Sequence, residues 1–210
     1  MKPILTLALV CCLIPAGAAA QDDGVMLRGF GDVGATTFTA EESFAAILGS
    51  STAAVFGGGV EVVLPRRIFV NVRASRFRQS GQRVFVSGGE RFDLGIPATV
   101  TLTPLQITGG YRFPRVIGIT PFAGAGPGWY HFTETSQFAD TSENVDEQFS
   151  GFHILGGAEV RLVRWLSLGG ELQWATVPDA IGEDPNSVAR EFNESDLGGT
   201  TFRFKVIVGM

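Results

Sequence analysis

The side chains best suited to chemistry in this 210-residue chain are charged residues that recur at alternate positions of apolar segments. Arg28 and Asp32 share one phase of the first such segment, and Arg203 and Lys205 share one phase of the last. Alternate residues of an extended strand point to the same side, so these charges are expected to gather on one face of a sheet. Six positive and four negative groups predict a network of ion pairs, because isolated buried charges are costly. The predicted set is Arg28, Asp32, Glu61, Arg73, Arg112, Glu159, Arg161, Glu171, Arg203 and Lys205.

Hydrolysis by a serine, a base and an acid is the second chemistry that the residue types allow. The chain has two histidines, and the candidate triads combine His131 or His153 with Ser136 or Ser150 and with Glu134 or Glu159. No nucleophile motif surrounds either serine, and a triad is defined by a geometry that spacing alone does not provide. We therefore predict a protein that is not an enzyme, with a lipid-modifying hydrolase as an alternative.

Two polar segments, residues 133–149 and 178–197, are rich in acidic residues and are therefore candidates for binding a metal ion. Carboxylate oxygens are the ligands that Ca²⁺ and Mg²⁺ prefer. The spacing does not match the D-x-[DN]-x-[DN]-G pattern, so we predict a solvated acidic surface and no metal or other cofactor. The acidic residues are Glu134, Asp140, Glu143, Asp146, Glu147, Asp179, Glu183, Asp184, Glu191, Glu194 and Asp196.

Eight segments with alternating apolar and polar residues must position these groups. The pattern predicts an all-β fold, an eight-stranded antiparallel up-and-down transmembrane β-barrel with its apolar phase outward and its charged phase in the lumen. The fifth segment is rich in glycine, and its phase cannot be assigned. The Gly57-Gly58-Gly59 run precedes no helix, so it is predicted to relieve crowding rather than to bind phosphate. The approximate strand ranges are 25–37, 52–64, 68–75, 98–113, 119–132, 152–162, 166–174 and 200–210.

The connections between these segments alternate in length, which predicts how the barrel is oriented. Outer-membrane barrels have short periplasmic turns and long outer loops, so both termini are expected in the periplasm. In the first long connection, Thr39 is expected to cap a short helical turn that ends near Leu48. The long connections are 38–51, 78–97, 133–149 and 178–197.

Aromatic residues fall mostly toward the ends of the predicted strands. Such residues form belts where a barrel meets the lipid headgroups. The expected belt residues are Tyr111, Phe113, Phe122, Trp129, Tyr130, Trp165, Trp174, Phe202 and Phe204.

The first twenty residues read as a cleaved export signal, which leaves residues 21–210 as a single barrel domain. Lys2 precedes an apolar run, and Ala18-Ala19-Ala20 provides the small residues of a cleavage site. Both cysteines, Cys11 and Cys12, lie in this signal, so thiolate chemistry is excluded from the mature chain. The mature chain has 15 basic and 21 acidic residues, a formal charge of −6, which argues against a nucleic-acid partner.

The signal, the eight alternating segments, the glycine-rich stretch 121–130 and the closing residues 202–206 resemble the small outer-membrane β-barrel family of the OmpA, OmpX and OmpW type. The resemblance implies a location in the outer membrane of a Gram-negative bacterium, with membrane lipid and lipopolysaccharide as its surroundings. Because a closed barrel has no free strand edges, a monomer is expected. The resemblance also implies recognition of the C-terminal strand by the barrel-assembly machinery. Met210 departs from the terminal Phe that such barrels usually have, which weakens that recognition or shifts it to Phe202 and Phe204.

The predicted function is accordingly structural. We expect a lumen plugged by the ion-pair network and a role in envelope integrity or in surface interaction through the long acidic loops. A narrow pore or small-solute conduit is one alternative. A soluble periplasmic lipid-binding barrel is another, and it would turn the apolar phase inward and the charged phase outward.

Overall fold

The computed structural model describes residues 24–87, 90–136, 144–182 and 187–209. Each strand pairs antiparallel with the next one along the chain, and the last pairs with the first, so the sheet closes into a barrel. This confirms the predicted eight-stranded up-and-down fold. The expected signal, residues 1–20, lies outside the described residues. The strands are β1 (Met26–Phe38), β2 (Thr52–Val63), β3 (Ile68–Ser87), β4 (Glu90–Arg112), β5 (Ile119–Ser136), β6 (Val145–Val163), β7 (Leu166–Thr176) and β8 (Gly199–Gly209).

Strand β8 illustrates why this sequence forms this sheet. Buried and exposed residues alternate along it, with Thr201, Arg203 and Lys205 inside the barrel and Phe202 and Phe204 outside. On the other strands the charged groups of the lumen are likewise buried and large apolar side chains cover the outer face, while some aromatic rings, such as those of Phe69 and Phe122, also point inward. This arrangement is the reverse of the one that a soluble lipid-binding barrel needs, so that alternative is wrong.

The apolar side chains on the outside form a continuous band around the barrel, which we call the outer apolar band. Along β4 it runs from Leu105 to Phe113, just past the strand end, and along β6 from Phe152 to Leu162. These stretches have about nine to eleven residues, the length with which a tilted strand crosses a bilayer. The outward residues that are exposed on the other strands include Leu27, Val33, Phe56, Val60, Ile68, Val70, Val72, Ile119, Leu168, Leu172, Trp174, Phe202, Phe204, Val206 and Val208.

The two ends of the barrel differ. Successive strands are joined at one end by a 3₁₀ turn at Pro65–Arg67, by residues 113–118 and by residues 164–165. We call this the short-turn end and the opposite end the loop end. The long connections after β1 and β7 at the loop end contain two helices, α1 (Glu41–Leu48) and α2 (Val188–Glu191). No helix in the described ranges is long and apolar enough to cross a membrane.

Helix α1 lies where a helical turn was expected, but its cap differs from the prediction. The residue before the helix is Ala40, and no side chain of that segment caps it, so the proposed role of Thr39 is wrong. A carboxylate from the β7–β8 connection takes that role instead. Glu194 accepts hydrogen bonds from the backbone N–H groups of Glu42, at 3.0 Å, and Ser43, at 2.9 Å. Because this partner is distant in sequence, local spacing could not reveal it.

The predicted loops 78–97 and 133–149 are too long. Strands β3 and β4 remain paired far beyond the outer apolar band, and β5 and β6 extend in the same way. The extension of β3 is stabilised by Val84 and Val86, which pack with Ala46 of α1. Outward positions of these extensions face water and are often polar, so the alternation that marks a membrane-spanning strand is lost there.

The structure shows which residues of β5 point into the lumen. Phe122 and Tyr130 point into the lumen and are almost fully buried, so neither belongs to the predicted aromatic belt. Their position near a strand end suggested a belt, but the strand's phase decides which side they face. Glycines on the same face leave space for such rings, since a Cβ at Gly128 would lie 2.9 Å from the ring of Tyr130.

The Gly57-Gly58-Gly59 run allows two strand backbones and an inward ring to approach closely. A Cβ on Gly59 would lie 2.0 Å from the backbone oxygen of Val72 and 2.9 Å from the ring of Phe30. This is the crowding that the sequence pattern predicts.

Candidate functional site

The lumen contains two groups of buried charges. We call the first, near the short-turn end, the turn-end cluster: Arg28, Glu61, Arg112 and Glu159. Arg28 donates to both carboxylates, with 2.8 Å between its Nη1 and Oε1 of Glu159 and a shorter contact to Glu61. Arg112 bridges the same carboxylates, at 2.7 Å to Glu159 and 3.3 Å to Glu61. Two cations and two anions therefore form a closed ring of ion pairs.

The second group, the mid-barrel cluster, consists of Asp32, Arg73, Glu171, Arg203 and Lys205. Arg73 makes a two-pronged contact with Glu171, at 2.5 and 2.9 Å, and Lys205 lies 3.2 Å from the same carboxylate. Asp32 lies between the guanidinium groups of Arg73, at 3.2 Å, and Arg203, at 3.6 Å. All five side chains are at least nine-tenths buried. Such charges persist in a lumen because each has an opposite charge beside it.

The mid-barrel cluster has three cations and two anions, and neutral groups support the excess positive charge. The ammonium of Lys205 lies 4.4 Å from the ring centroid of Phe30 and 5.3 Å from that of Phe122. Arg203 donates to the side-chain oxygen of Gln173 at 2.9 Å. Cation–π contacts and amide oxygens stabilise positive charge without adding an anion.

A layer of neutral polar side chains follows toward the loop end. Gln106 donates to the hydroxyl of Tyr130 at 3.0 Å, and His153 Nε2 lies 2.8 Å from the hydroxyl of Thr108. His153 is fully buried in the middle of β6, although the sequence pattern placed it at the start of that strand.

Beyond this layer, apolar side chains fill the mouth of the barrel, and we call them the loop-end apolar cluster. The rings of Phe38 and Phe44 stack with their centroids 4.0 Å apart, and Phe77 packs edge-on against Phe38 at 5.1 Å. Helix α1 contributes Phe44 and Leu48, so a segment outside the barrel covers the mouth. The cluster consists of Phe38, Ala40, Phe44, Leu48, Phe77, Val100, Leu102, Tyr130, Ala175, Val177, Ala180 and Leu197.

A cavity of about 280 Å³ lies over this cluster, between α1, the extensions of β4 to β6 and the β7–β8 connection. We call it the loop-end cavity. Most of its wall is apolar, but the carboxylates of Glu134, Glu147 and Asp179 also line it. Burial raises the pKa of the Glu134 carboxyl, and Arg83, 3.9 Å away, offsets part of this rise.

The structure does not bring the residues of the proposed triads together. His153 and Glu159 lie inside the barrel, and Glu159 is bound by arginines. His131 is exposed on the outer face and contacts Asp146 at 2.8 Å. The hydroxyl of Ser136 donates to the backbone oxygen of Pro97.

Ser150 does not complete a triad either. It is exposed on β6, opposite Trp129 of β5, and therefore lies on the outer face. His153, three residues further along the same strand, points into the lumen. Residues an odd number of positions apart on a strand face opposite sides, which separates this pair.

Nine of the ten predicted network residues lie in the two lumen clusters, and Arg161 does not. Arg161 has the inward phase of β6, but it pairs with Ser167 next to an irregularity at the short-turn end. Its side chain is exposed to solvent there. The alternation gave its phase correctly but could not show where the lumen ends.

The structure describes part of each acidic segment. Asp140, Glu143, Glu183 and Asp184 lie outside the described residues. Within the described ranges, no group of three or more His, Cys, Asp or Glu side chains is arranged to hold a metal ion. Asp196 accepts hydrogen bonds from Thr176, Val177 and Gly198, so it orders its own connection.

The predicted charge network leaves out the neutral polar residues that complete the lumen. They lie in the same phase as the charged residues, so the alternation of the strands does predict that they face inward, apart from His153, which the pattern places at the start of its strand. The buried ones are Asn71, Ser75, Gln106, Thr108, His153, Ser167, Gln173 and Thr201.

Neither a family model nor a curated protein matches the sequence. The fold, in contrast, is similar to solved outer-membrane barrels. A major outer membrane protein from Thermus thermophilus aligns over 89% of this chain and 100% of its own, with 10% identity and a TM-score of 0.55. Neisserial surface protein A aligns over 88% of this chain and 98% of its own, with 10% identity and a TM-score of 0.52.

A third similar structure is Ail, the attachment invasion locus protein of Yersinia pestis, solved in complex with the heparin analogue sucrose octasulfate. It aligns over 90% of this chain and 99% of its own, with 9% identity and a TM-score of 0.51. At these identities the similarity is one of fold, and it agrees with the resemblance drawn from the residue pattern.

Proposed function

We propose that this chain is an integral protein of the bacterial outer membrane whose lumen conducts no solute and whose role is structural or adhesive. The observation that carries this proposal is the outer apolar band. A continuous apolar surface around a closed barrel is unfavourable in water, whereas in a bilayer it matches the lipid tails. The similarity in fold to outer-membrane proteins supports the same location.

The contents of the lumen support a plug. In an eight-stranded barrel the interior is just wide enough for side chains to fill. Here two charge clusters, a polar layer and the loop-end apolar cluster succeed one another along the axis. A hydrated ion entering this path would have to break ion pairs at two levels and separate packed rings at a third. These features argue against a conduit.

The positions of the reactive groups support a non-enzymatic role. The candidate histidines are separated from the candidate serines by the barrel wall or by distance along it. The features that remain for a contact surface are the tall β3–β6 extensions, α1 and the β7–β8 connection. We infer that the cell uses this surface, either for envelope integrity or for binding at the cell exterior.

Membrane fractionation tests the location. The full chain, expressed with its signal, should enter the outer-membrane fraction and migrate faster on a detergent gel before boiling than after it. A soluble protein without this shift would overturn the proposal. In planar bilayers, the purified barrel should give no single-channel current under conditions in which a general porin conducts. Steady single-channel currents would contradict the plug while leaving the membrane location intact.

Cysteine labelling tests the proposed orientation, with both termini in the periplasm. Removal of the signal would leave a mature chain without cysteine, so a single introduced thiol is unique. A membrane-impermeant maleimide should label Glu42→Cys at the loop end in intact cells. It should label Arg164→Cys, in a short turn, after the outer membrane is permeabilised. The opposite pattern would invert the orientation.

A further inference from the structure

The loop-end cavity has the composition of a ligand site rather than of a packing defect. Its volume of about 280 Å³ is close to the lower limit of about 300 Å³ for small-molecule pockets. An apolar cavity of about 150 Å³ already accepts benzene. The wall includes the rings of Phe44, Phe132 and Phe149, which offer a surface for an alkyl or aryl group.

The charged side chains that line this cavity, among the residues that the structure describes, are all acidic. Glu134, Glu147 and Asp179 line it, and no basic side chain does so among the described lining residues. Glu134 and Glu147 project from the inward faces of β5 and β6. Glu134 pairs with Val145 in the sheet and Glu147 with Phe132, so the two residues are diagonal neighbours on the same face. A cation between them would be attracted by both carboxylates.

The described residues supply few counter-charges for these carboxylates. Arg83 lies 3.9 Å from Glu134, at the limit of an ion pair, and both side chains are partly exposed. In the part of the chain that the structure describes, Glu147 and Asp179 form no ion pair. The lumen clusters differ, because there every carboxylate contacts at least two cations.

We propose that the loop-end cavity binds a small organic ammonium ion that has one alkyl or aryl group. The apolar group would pack against Phe44, Leu48 and Phe132, and the ammonium would lie between Glu134 and Glu147. Aromatic faces next to the carboxylates also favour an ammonium head. An anionic ligand would meet three like charges, and a bare metal ion would meet a mostly apolar wall.

The position of the cavity indicates where the ligand comes from. The residues that line it on β4, β5 and β6 have the inward phase, above the outer apolar band, so the cavity does not face lipid. Its floor includes Phe44, Leu48 and Val100 of the loop-end apolar cluster. The ligand therefore enters from the water outside the loop end and stops at this floor. This is a blind binding site, and it goes beyond the structural role proposed above.

Binding is tested with three probes of nearly equal size: 4-phenylbutylammonium, 4-phenylbutanol and 4-phenylbutanoate. The whole barrel is placed in phosphatidylcholine nanodiscs, and empty nanodiscs report partitioning into lipid. Calorimetry should show saturable binding of the ammonium ion, binding of the alcohol at least tenfold weaker, and no binding of the carboxylate. Equal affinity for the three probes, or no saturable binding of the ammonium ion, would overturn the proposal.

Substitutions locate the site. The double variant Glu134→Gln with Glu147→Gln keeps the shape of the wall and should weaken ammonium binding at least tenfold. Asp146→Asn is the matched control, because Asp146 precedes Glu147 on β6, is exposed and does not line the cavity. It should leave the affinity unchanged. Gel mobility before boiling verifies that each variant is folded. A folded double variant with wild-type affinity would refute the assignment.

Discussion

The carboxylates of the lumen and those of the loop-end cavity belong to the same barrel but lie in opposite electrostatic settings. Glu171 is almost completely buried and contacts Arg73 and Lys205 within 3.2 Å. Glu147 is exposed and has no counter-charge among the described residues. Carboxylates in buried ion pairs stabilise the folded barrel. A carboxylate that lines a cavity and has no ion pair can bind a ligand from outside. The difference separates the structural part of the molecule from its candidate binding surface.

Removing one lumen charge gives the largest expected effect. Glu171→Gln leaves Arg73, Arg203 and Lys205 with Asp32 as their remaining carboxylate. Breaking a buried ion pair from one side costs about 3–5 kcal/mol, so the free energy of unfolding should fall by about that amount. Urea titration of the barrel in lipid, followed by gel mobility, measures it.

Arg161→Gln is the control for this substitution. Arg161 is charged and has the inward phase of β6, as Glu171 has that of β7, but Arg161 is exposed. The free energy of unfolding should therefore change by less than about 0.5 kcal/mol. Equal effects of the two substitutions would erase the distinction between buried and exposed charges.

Crowding in the lumen wall gives the second-largest expected loss of stability. Gly59→Ala forces a Cβ against the backbone oxygen of Val72 and the ring of Phe30, which itself lies under Lys205. We expect a loss of about 1–3 kcal/mol, as in other overpacked interiors. Gly31→Ala is matched to it, because a Cβ at Gly31 meets nothing within 4 Å. Thermal or urea unfolding should separate the two variants, and equal stability would show that the wall yields more easily than its geometry indicates.

Glu194 tests the boundary between the two settings. It is a loop-end carboxylate, but it has partners, because it caps α1 through Glu42 and Ser43. Glu194→Ala should cost about 1 kcal/mol, the usual value of a helix cap, and should speed amide exchange at Glu42 and Ser43. Glu41→Ala, in the same first turn, should leave that exchange nearly unchanged. If amide exchange at these two residues is unaltered in Glu194→Ala, Glu194 does not cap α1 and resembles the carboxylates that have no partner.

The smallest effect is expected at Glu134, and its sign depends on pH. Because burial raises its pKa in the folded state, the charged form disfavours folding above that pKa. The groups facing it are Arg83, Glu147 and Asp179. Glu134→Gln should therefore be as stable as the wild type or slightly more stable at pH 7, by less than about 0.5 kcal/mol.

As the pH falls below the ordinary pKa of a glutamate, the wild type becomes protonated in both states and this difference should vanish. Unfolding titrations at pH 7 and pH 4 measure it. A variant that is less stable at pH 7 and recovers at pH 4 would show that the pair with Arg83 outweighs burial.

Period-two alternation was enough to predict the barrel, because each strand's two faces meet lipid and lumen. It also placed ten charged residues on the inner face, and the structure has nine of them in the lumen. It failed where phase is not decisive. Arg161 lies beyond the end of the lumen, and the extensions of β3 to β6 meet water on their outer side. The loop-end cavity was beyond reach, because its wall joins residues from α1, three strands and the β7–β8 connection.

The mid-barrel cluster also has a consequence for the order of assembly. Asp32 lies on β1 and Arg203 and Lys205 on β8, and these two strands form the seam at which the sheet closes. Contacts between the ends of a chain are the most distant in sequence and slow to form. Lys205 and Arg203 can meet Glu171 as soon as β8 pairs with β7, the strand before it. The ion pair of Arg203 with Asp32, in contrast, forms only when β8 meets β1, so this buried contact is made at the closing step.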